Sequence, residues 1–191
     1  GMFYECIALE TVKIGPDVND IGAYAFRDTL VGKFDIASGN KVYKVFEDKY
    51  ILSTDGKQIV AVSPLVEGEF TSANIGGTEV NTIAKGAFSH NTKISSVVLP
   101  SVTKVAGYGF ASNKSLTNVS LGTLSEIGAY AFSETGITSV PAYVNDVKIG
   151  KYAFAYSALT SVTIPNGMTI EEGVFSECSS LQTVVIGSDV V

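Results

Sequence analysis

Tryptophan is absent from this 191-residue chain, histidine occurs once, cysteine twice and proline five times. The lone histidine, His90, stands beside Asn91 with no cysteine or acidic cluster nearby in sequence. It offers neither a metal-ligand set nor a base paired with a nucleophile, and reads as a solvated turn residue. Charge is also scarce. Only 17% of residues are charged, 13 basic against 19 acidic, for a net charge of -6. Nucleic acid is thereby excluded as the main ligand, because neutralising phosphates needs a basic stripe. No apolar run reaches 18 residues, so no membrane-spanning helix and no membrane insertion are expected. A basic start followed by an apolar stretch is missing too, so no signal peptide is read in this chain. No glycine falls in a strand–loop–helix unit, so no phosphate cradle and no cofactor are expected.

What the chain does contain is apolar and periodic. It is 46% hydrophobic, with 19 Gly, 10 Phe and 9 Tyr. The phrase Ile127-Gly128-Ala129-Tyr130-Ala131-Phe132 returns as Ile149–Phe154 and Val105–Phe110, and again at Ile83–Phe88, Ile170–Phe175 and Ile21–Phe26. From Phe88 on, the phenylalanines stand at 88, 110, 132, 154 and 175, in steps of 22, 22, 22 and 21. A second phrase, L-x-x-V-x-I, follows each. It is carried by Leu9/Val12/Ile14, Val31/Phe34/Ile36, Ile94/Val97/Leu99, Leu116/Val119/Leu121, Ile137/Val140/Ala142, Leu159/Val162/Ile164 and Leu181/Val184/Ile186, with an eighth copy aligned on Phe70/Ala73/Ile75. Its last two apolar positions are two apart, the period of a strand with one buried face.

A period of about 22 residues predicts a solenoid, because one such unit cannot bury its own apolar side and must stack on the next. The expected fold is a leucine-rich-repeat solenoid: a right-handed superhelix with a parallel sheet of about eight short strands, about 4.8 Å apart. Short helical or irregular turns lie opposite, and the phenylalanines stack as an inner spine. Residues 1–191 form one domain. Its repeat is interrupted around 40–66, where two apolar runs flank Thr54-Asp55-Gly56; this predicts an inserted β-hairpin, projecting from the solenoid or lying along its edge. The segment Phe3–Leu9 aligns with Phe175–Leu181, so the chain begins and ends inside a unit. That predicts a segment of a longer array, or ends that pair with another chain.

These phrases resemble the leucine-rich repeats of the Bacteroides surface protein A (BspA) type, whose unit joins an L-x-x-V-x-I-P strand to an I-G-x-x-A-F turn. Pro100 and Pro165 follow their strands as that pattern asks, while Pro141 falls one residue early. The strand, Asp-Gly, strand, Pro order of residues 42–64 is similar to that family's inserts. The resemblance implies a bacterial cell-surface or secreted protein of gut or oral origin. It further implies adhesion to host matrix proteins, other bacteria or host cells, with a protein or glycan partner.

Candidate binding residues are those between the buried strand positions: Ser96, Asn118, Ser120, Ser139, Ser161, Thr163 and Thr183. In repeat proteins the extended strand face is the usual platform, though Ser and Thr also suit a plain solvated sheet. A second stripe, Tyr24, Tyr108, Tyr130 and Tyr152, precedes the phenylalanines by two residues, with Gly86 and Gly173 in its place in two units. Such a ladder can stack on sugar rings; it is read here as a half-buried cover for the turn. Cys6 and Cys178 hold the same place in their units, on the order of 30 Å apart at strand spacing, and both are expected to be free, buried thiols. Acidic residues such as Asp17, Asp28, Asp48 and Asp146 fall in different parts of the repeat, which speaks against a polysaccharide-acting enzyme. Three readings stay open: a non-enzymatic binding or adhesion module, a spacer that carries another domain, and, more remotely, that enzyme.

Overall fold

The computed structural model describes residues 2–191. The chain forms a β-solenoid whose rungs contribute to two faces. One face holds β1 (Thr11–Ile14), β2 (Lys33–Ile36), β6 (Gly68–Thr71), β8 (Ile94–Leu99), β10 (Asn118–Leu121), β13 (Ser161–Ile164) and β14 (Thr183–Ile186). It is divided into β1-β2, β6-β8-β10 and β13-β14, all pairing in parallel. The other face is a single seven-stranded sheet. Its strands are β3 (Tyr43–Phe46), β4 (Tyr50–Ser53), β5 (Gln58–Val62), β7 (Thr82–Ile83), β9 (Lys104–Val105), β11 (Leu124–Ile127) and β12 (Tyr143–Ile149).

This second sheet was not anticipated. It grows from the Ile or Val that opens each I-G-x-x-A-F phrase, as Ile83, Val105, Ile127 and Ile149 line up in parallel register. Among the described residues the only helical piece is a 3-10 turn at Ser72–Ile75. The turns opposite the first face are therefore short strands and irregular turns.

Between the two sheets lies the aromatic spine. Phe70, Phe88, Phe110, Phe132, Phe154 and Phe175 follow one another with ring centroids 4.9–5.8 Å apart. The stacking tightens toward parallel along the array, reaching 2° between Phe132 and Phe154. Backbone bonds link the same turns from rung to rung: Phe110 N–H donates to Ala131 C=O (2.8 Å), Phe132 N–H to Ala153 C=O (2.7 Å) and Phe154 N–H to Val174 C=O (2.9 Å). Each rung thus supplies hydrogen-bond partners and an apolar lid to the next, which is where a solenoid's stability resides.

The spine does not run the whole length. The insert is a three-stranded antiparallel meander, β3-β4-β5, and its Asp55-Gly56 turn joins β4 to β5 as expected. It does not project. It extends the second sheet at one edge, with β5 pairing parallel to β7, and both of its faces are covered. Tyr50, Leu52, Ile59 and Val62 face the long core; Ile51, Val60 and Ala61 face a smaller core built on Val12, Ile14, Val31 and Phe34. The meander is a wall across the solenoid. Tyr50 ends the long spine on Phe70 (5.5 Å), while Phe26 packs instead on Phe34 (4.9 Å).

One register differs from the sequence reading. Phe70 pairs with Val97, in the middle position of the strand phrase, with a bulge between Gly68 and Glu69. Ala73 and Ile75 lie in the 3-10 turn and not on a strand. The register therefore lies three residues earlier than the alignment on Phe70/Ala73/Ile75, with Phe70 in the middle slot that Phe34 fills on β2 and Val fills on β1, β8 and β10.

Candidate functional site

The proposed strand face exists, in two polar stretches. Ser96, Asn118 and Ser120 stand on β8 and β10, where Asn118 Nδ2 donates to Ser96 Oγ (3.0 Å) and Ser96 Oγ reaches Glu69 Oε2 (3.4 Å). Ser161, Thr163 and Thr183 stand exposed on β13 and β14. On β14 the face is no longer one-sided: Val184 and Ile186, expected to be buried, are 47% and 63% exposed.

Ser139 is the exception. Its rung forms no strand, so the first sheet is open between β10 and β13, and Ser139 sits in a bend. Pro141 is buried and Ala142 exposed, the reverse of the expected alternation. The cause is local. Thr117 N–H donates to Ser95 C=O (3.0 Å), so Val119 N–H also faces β8. In the following rung Pro141 has no N–H to give, and a proline cannot sit in a central ladder. The early position of Pro141 is legible in the sequence, whereas its effect on pairing shows only in the stacked rungs. Tyr143 partly fills the break, its hydroxyl donating to Thr163 C=O (3.2 Å).

The tyrosine stripe is structural in its geometry. Tyr108 and Tyr130 stack at 4.8 Å and 4°, and Tyr130 and Tyr152 at 5.1 Å and 12°. Tyr24 reaches across Gly86 to meet Tyr108 edge-on at 4.9 Å. The ring faces are spent on one another, and the outer face of Tyr152 lies against Gly173, where any side chain would collide with it. Burial raises the pKa of Tyr24 and Tyr108, while a hydrogen bond to Glu172 raises that of Tyr152.

The same positions explain the glycines. Tyr24, Tyr108, Tyr130 and Tyr152 have φ of 56–62°, and Gly86 and Gly173 have φ of 70° and 65°. The turn demands a left-handed residue there, which glycine adopts freely and tyrosine adopts only under strain. A second left-handed residue follows each Phe by two, as in Asp28, His90, Ser112, Glu134, Tyr156 and Glu177.

Three residues after the Phe, a side chain satisfies backbone inside the turn. Asn113 Nδ2 donates to Phe88 C=O (2.7 Å), Thr135 Oγ1 to Phe132 C=O (2.7 Å) and Cys178 Sγ to Phe154 C=O (3.1 Å). Cys178 is free and buried, as expected. Cys6 is free but exposed, not buried as expected. His90 departs from expectation as well. Its side chain is only 13% exposed, packed edge-on to Tyr24 (6.0 Å) with Nδ1 3.9 Å from Asp28 Oδ1. Burial, and then the nearby Arg27, lower its pKa.

The second sheet also ends in an opening. Gly128 N–H donates to Val105 C=O and Gly150 N–H to Ile127 C=O, both at 2.8 Å. One rung further, Glu171 N–H would meet Ile149 C=O, and Ile149 N–H would meet Thr169 C=O. Neither bond forms. Met168 and Ile170 turn instead to Val191, with Ile170 N–H on Val191 C=O (2.8 Å) and Val191 N–H on Met168 C=O (3.1 Å). A notch of about 640 Å³ separates the two rungs. Two length mismatches open it: β12 bulges between Tyr143 and Lys148, and the step from Phe154 to Phe175 is one residue short. The short step is a feature of the sequence, but which hydrogen bonds it removes is set by how the two rungs stack.

Among the described residues no helix is long and apolar enough to cross a membrane, and no group of three or more His, Cys, Asp or Glu could hold a metal ion.

Comparison with known proteins gives a consistent picture. The profile of the BspA type leucine-rich repeat region matches in six copies, over residues 1–52 and 77–191. The unmatched stretch holds the end of the meander and the shifted Phe70 rung. No curated protein sequence matches. Among solved structures, a leucine-rich cell surface protein from Faecalibacterium prausnitzii superposes with a TM-score of 0.72 at 22% identity, over 94% of this chain and 48% of that one. The pneumococcal vaccine antigen PcpA gives 0.70 at 21% identity, over 98% and 47%. A leucine-rich repeat protein from Eubacterium ventriosum gives 0.62 at 19%, over 93% and 49%. At these identities the likeness is one of fold, and this chain spans about half the length of each.

Proposed function

This chain belongs to the BspA-type leucine-rich repeat family, and from that premise we propose that it is a non-enzymatic cell-surface or secreted module that binds a protein or glycan partner along its first face. The observation that carries the reading is the row of small polar side chains on a rigid sheet: half-buried Ser96 with exposed Asn118 and Ser120 on one side of the Pro141 break, and exposed Ser161, Thr163 and Thr183 on the other. Their spacing is fixed by the backbone ladder, so a partner meets preorganised contacts and little ordering entropy is lost on binding. Many weak contacts repeated over many copies on a cell then add up through avidity. Host matrix glycoproteins and host-cell surfaces are the partners this reading favours, and the surface description of the Faecalibacterium structure is in keeping with it.

The test is a binding screen of the chain against immobilised fibronectin, collagen, laminin and a mucin-glycan array. A hit that Ser120→Arg with Ser161→Arg weakens at least tenfold, with Tm unchanged, supports the face as the contact surface. A hit that this pair leaves intact removes the face from consideration.

A spacer role is the second reading, favoured by the interruption of the face at Ser139–Ala142. On that reading a shuffled strand face leaves adhesion by the intact protein unchanged.

A further inference from the structure

The notch beside β12 has features that the strand face lacks. Its two walls present peptide groups without partners: Ile149 N–H and C=O on one side, Thr169 C=O and Glu171 N–H on the other. The alternation of bonds along β11 and β12 makes this assignment. Lys148 and Gly150 turn their backbone groups toward β11, so Ile149 between them turns its own toward the notch. The unmet groups are those that close the sheet in every rung from β7 to β12.

We propose that this notch captures an extended segment of a partner polypeptide as an additional β-strand. The complement of two rows of unpaired N–H and C=O groups is another peptide backbone, the mode in which a strand is added to an open sheet edge. Size agrees. An extended residue in a sheet occupies roughly 160 Å³, from about 3.3 Å of rise, 4.8 Å between strands and 10 Å between layers. The 640 Å³ opening therefore holds about four residues of strand.

Side-chain chemistry narrows the partner further. Along the rim stand Asp146, Lys148 and Glu171, all exposed, in the order carboxylate, ammonium, carboxylate. Among the described residues none of the three has a salt-bridge partner, whereas the neighbouring Lys151 and Glu172 pair with each other at 3.1 Å and Lys104 with Glu126 at 3.8 Å. Inside the notch, Val147 and Met168 are buried apolar residues. The segment that fits is extended, with basic, acidic and basic side chains at alternate positions outward and apolar side chains between them inward. This site is separate from the first face and does not depend on the function proposed for it.

The test uses the full chain and a synthetic octapeptide, Ser-Thr-Lys-Val-Glu-Ile-Lys-Gly with blocked ends, read by calorimetry and by amide hydrogen exchange followed by NMR. In the free chain the amides of Ile149 and Glu171 exchange fast, while those of Ile127 and Gly150 are protected. With peptide, binding saturates and the Ile149 and Glu171 amides slow at least tenfold. Glu171→Pro, which removes a donor that has no native partner, weakens binding at least tenfold with Tm unchanged. Glu171→Gln keeps the donor and loses only the ion pair, so its effect is smaller. A peptide with its charges exchanged, Glu-Val-Lys-Ile-Glu in the centre, binds at least tenfold more weakly. Protection of the Ile149 and Glu171 amides in the free chain would overturn the proposal, because the notch would then be closed. So would absence of saturable binding, or binding that leaves those two amides fast.

Discussion

Replacing Phe132 by alanine tests the stacked spine most directly. Its side chain is fully buried, with Phe110 and Phe154 each 5.3 Å away on either side. Those neighbours cannot collapse into the vacancy, because Phe110 N–H, Phe132 N–H and Phe154 N–H are all fixed in the rung-to-rung ladder. Losing the transfer free energy of a buried phenylalanine costs about 2–3 kcal/mol. A residual cavity of roughly 60–80 Å³ adds about 1.5–2 kcal/mol at ~24 cal/mol per Å³. The sum is about 3.5–5 kcal/mol. Phe175 is the internal control. It is half-buried and stacks on one ring, Phe154, at 5.8 Å, so Phe175→Ala costs about half as much by the same bookkeeping. Urea unfolding followed by far-UV circular dichroism reads both, and the slope must stay unchanged for the difference in midpoint to count as stability. The Phe132→Ala cavity is lined by phenylalanine rings and aliphatic side chains, so xenon under pressure should raise its Tm and leave the parent unaffected. Equal losses at 132 and 175, or a loss under about 1.5 kcal/mol at 132, would refute the reasoning that fixed neighbours flank each ring.

Other expectations follow from the turn and the wall. At Tyr130, φ is 58°, so Tyr130→Ala loses the stacked ring and keeps the left-handed strain, while Tyr130→Gly relieves that strain; the glycine variant should be the more stable by about 1 kcal/mol in thermal melts, the reverse of the order inside a helix or strand. The folded-state pKa of His90 is lowered from 6.5, chiefly by burial and then by Arg27, with Asp28 and Glu134 opposing. Its unfolded form therefore takes up a proton first as pH falls, so this contribution is complete above pH 6.5 and is lost below it. His90→Asn, which tolerates the left-handed turn and does not titrate, should flatten Tm against pH between 7 and 5 (about two units centred near the histidine range); an unchanged slope would assign the pH dependence to other groups. Because the meander separates two cores, Val31→Ala should leave amide protection around Phe132 intact while loosening β1 and β2, a pattern that native-state hydrogen exchange resolves.

The period of the array, its two apolar phrases and the central phenylalanines were determined by the sequence alone. A unit of 22 residues with apolar side chains at strand spacing has no other way to bury them than against its own neighbours, so local pattern and global fold coincide from Phe88 to Phe154. The Asp55-Gly56 turn was legible for a similar reason, since turn chemistry is local. What needed tertiary structure was everything set by the fit between rungs. Pairing is decided by which N–H faces which C=O one rung away, and a proline at 141 or one missing residue before Phe175 alters that without disturbing the apolar pattern. The meander as a wall, the exposed Cys6, the half-buried His90 and the spent faces of the tyrosine ladder are likewise properties of what lies beside a residue. Periodicity fixes what each rung must bury, but only the stacked coordinates decide where two rungs fail to close.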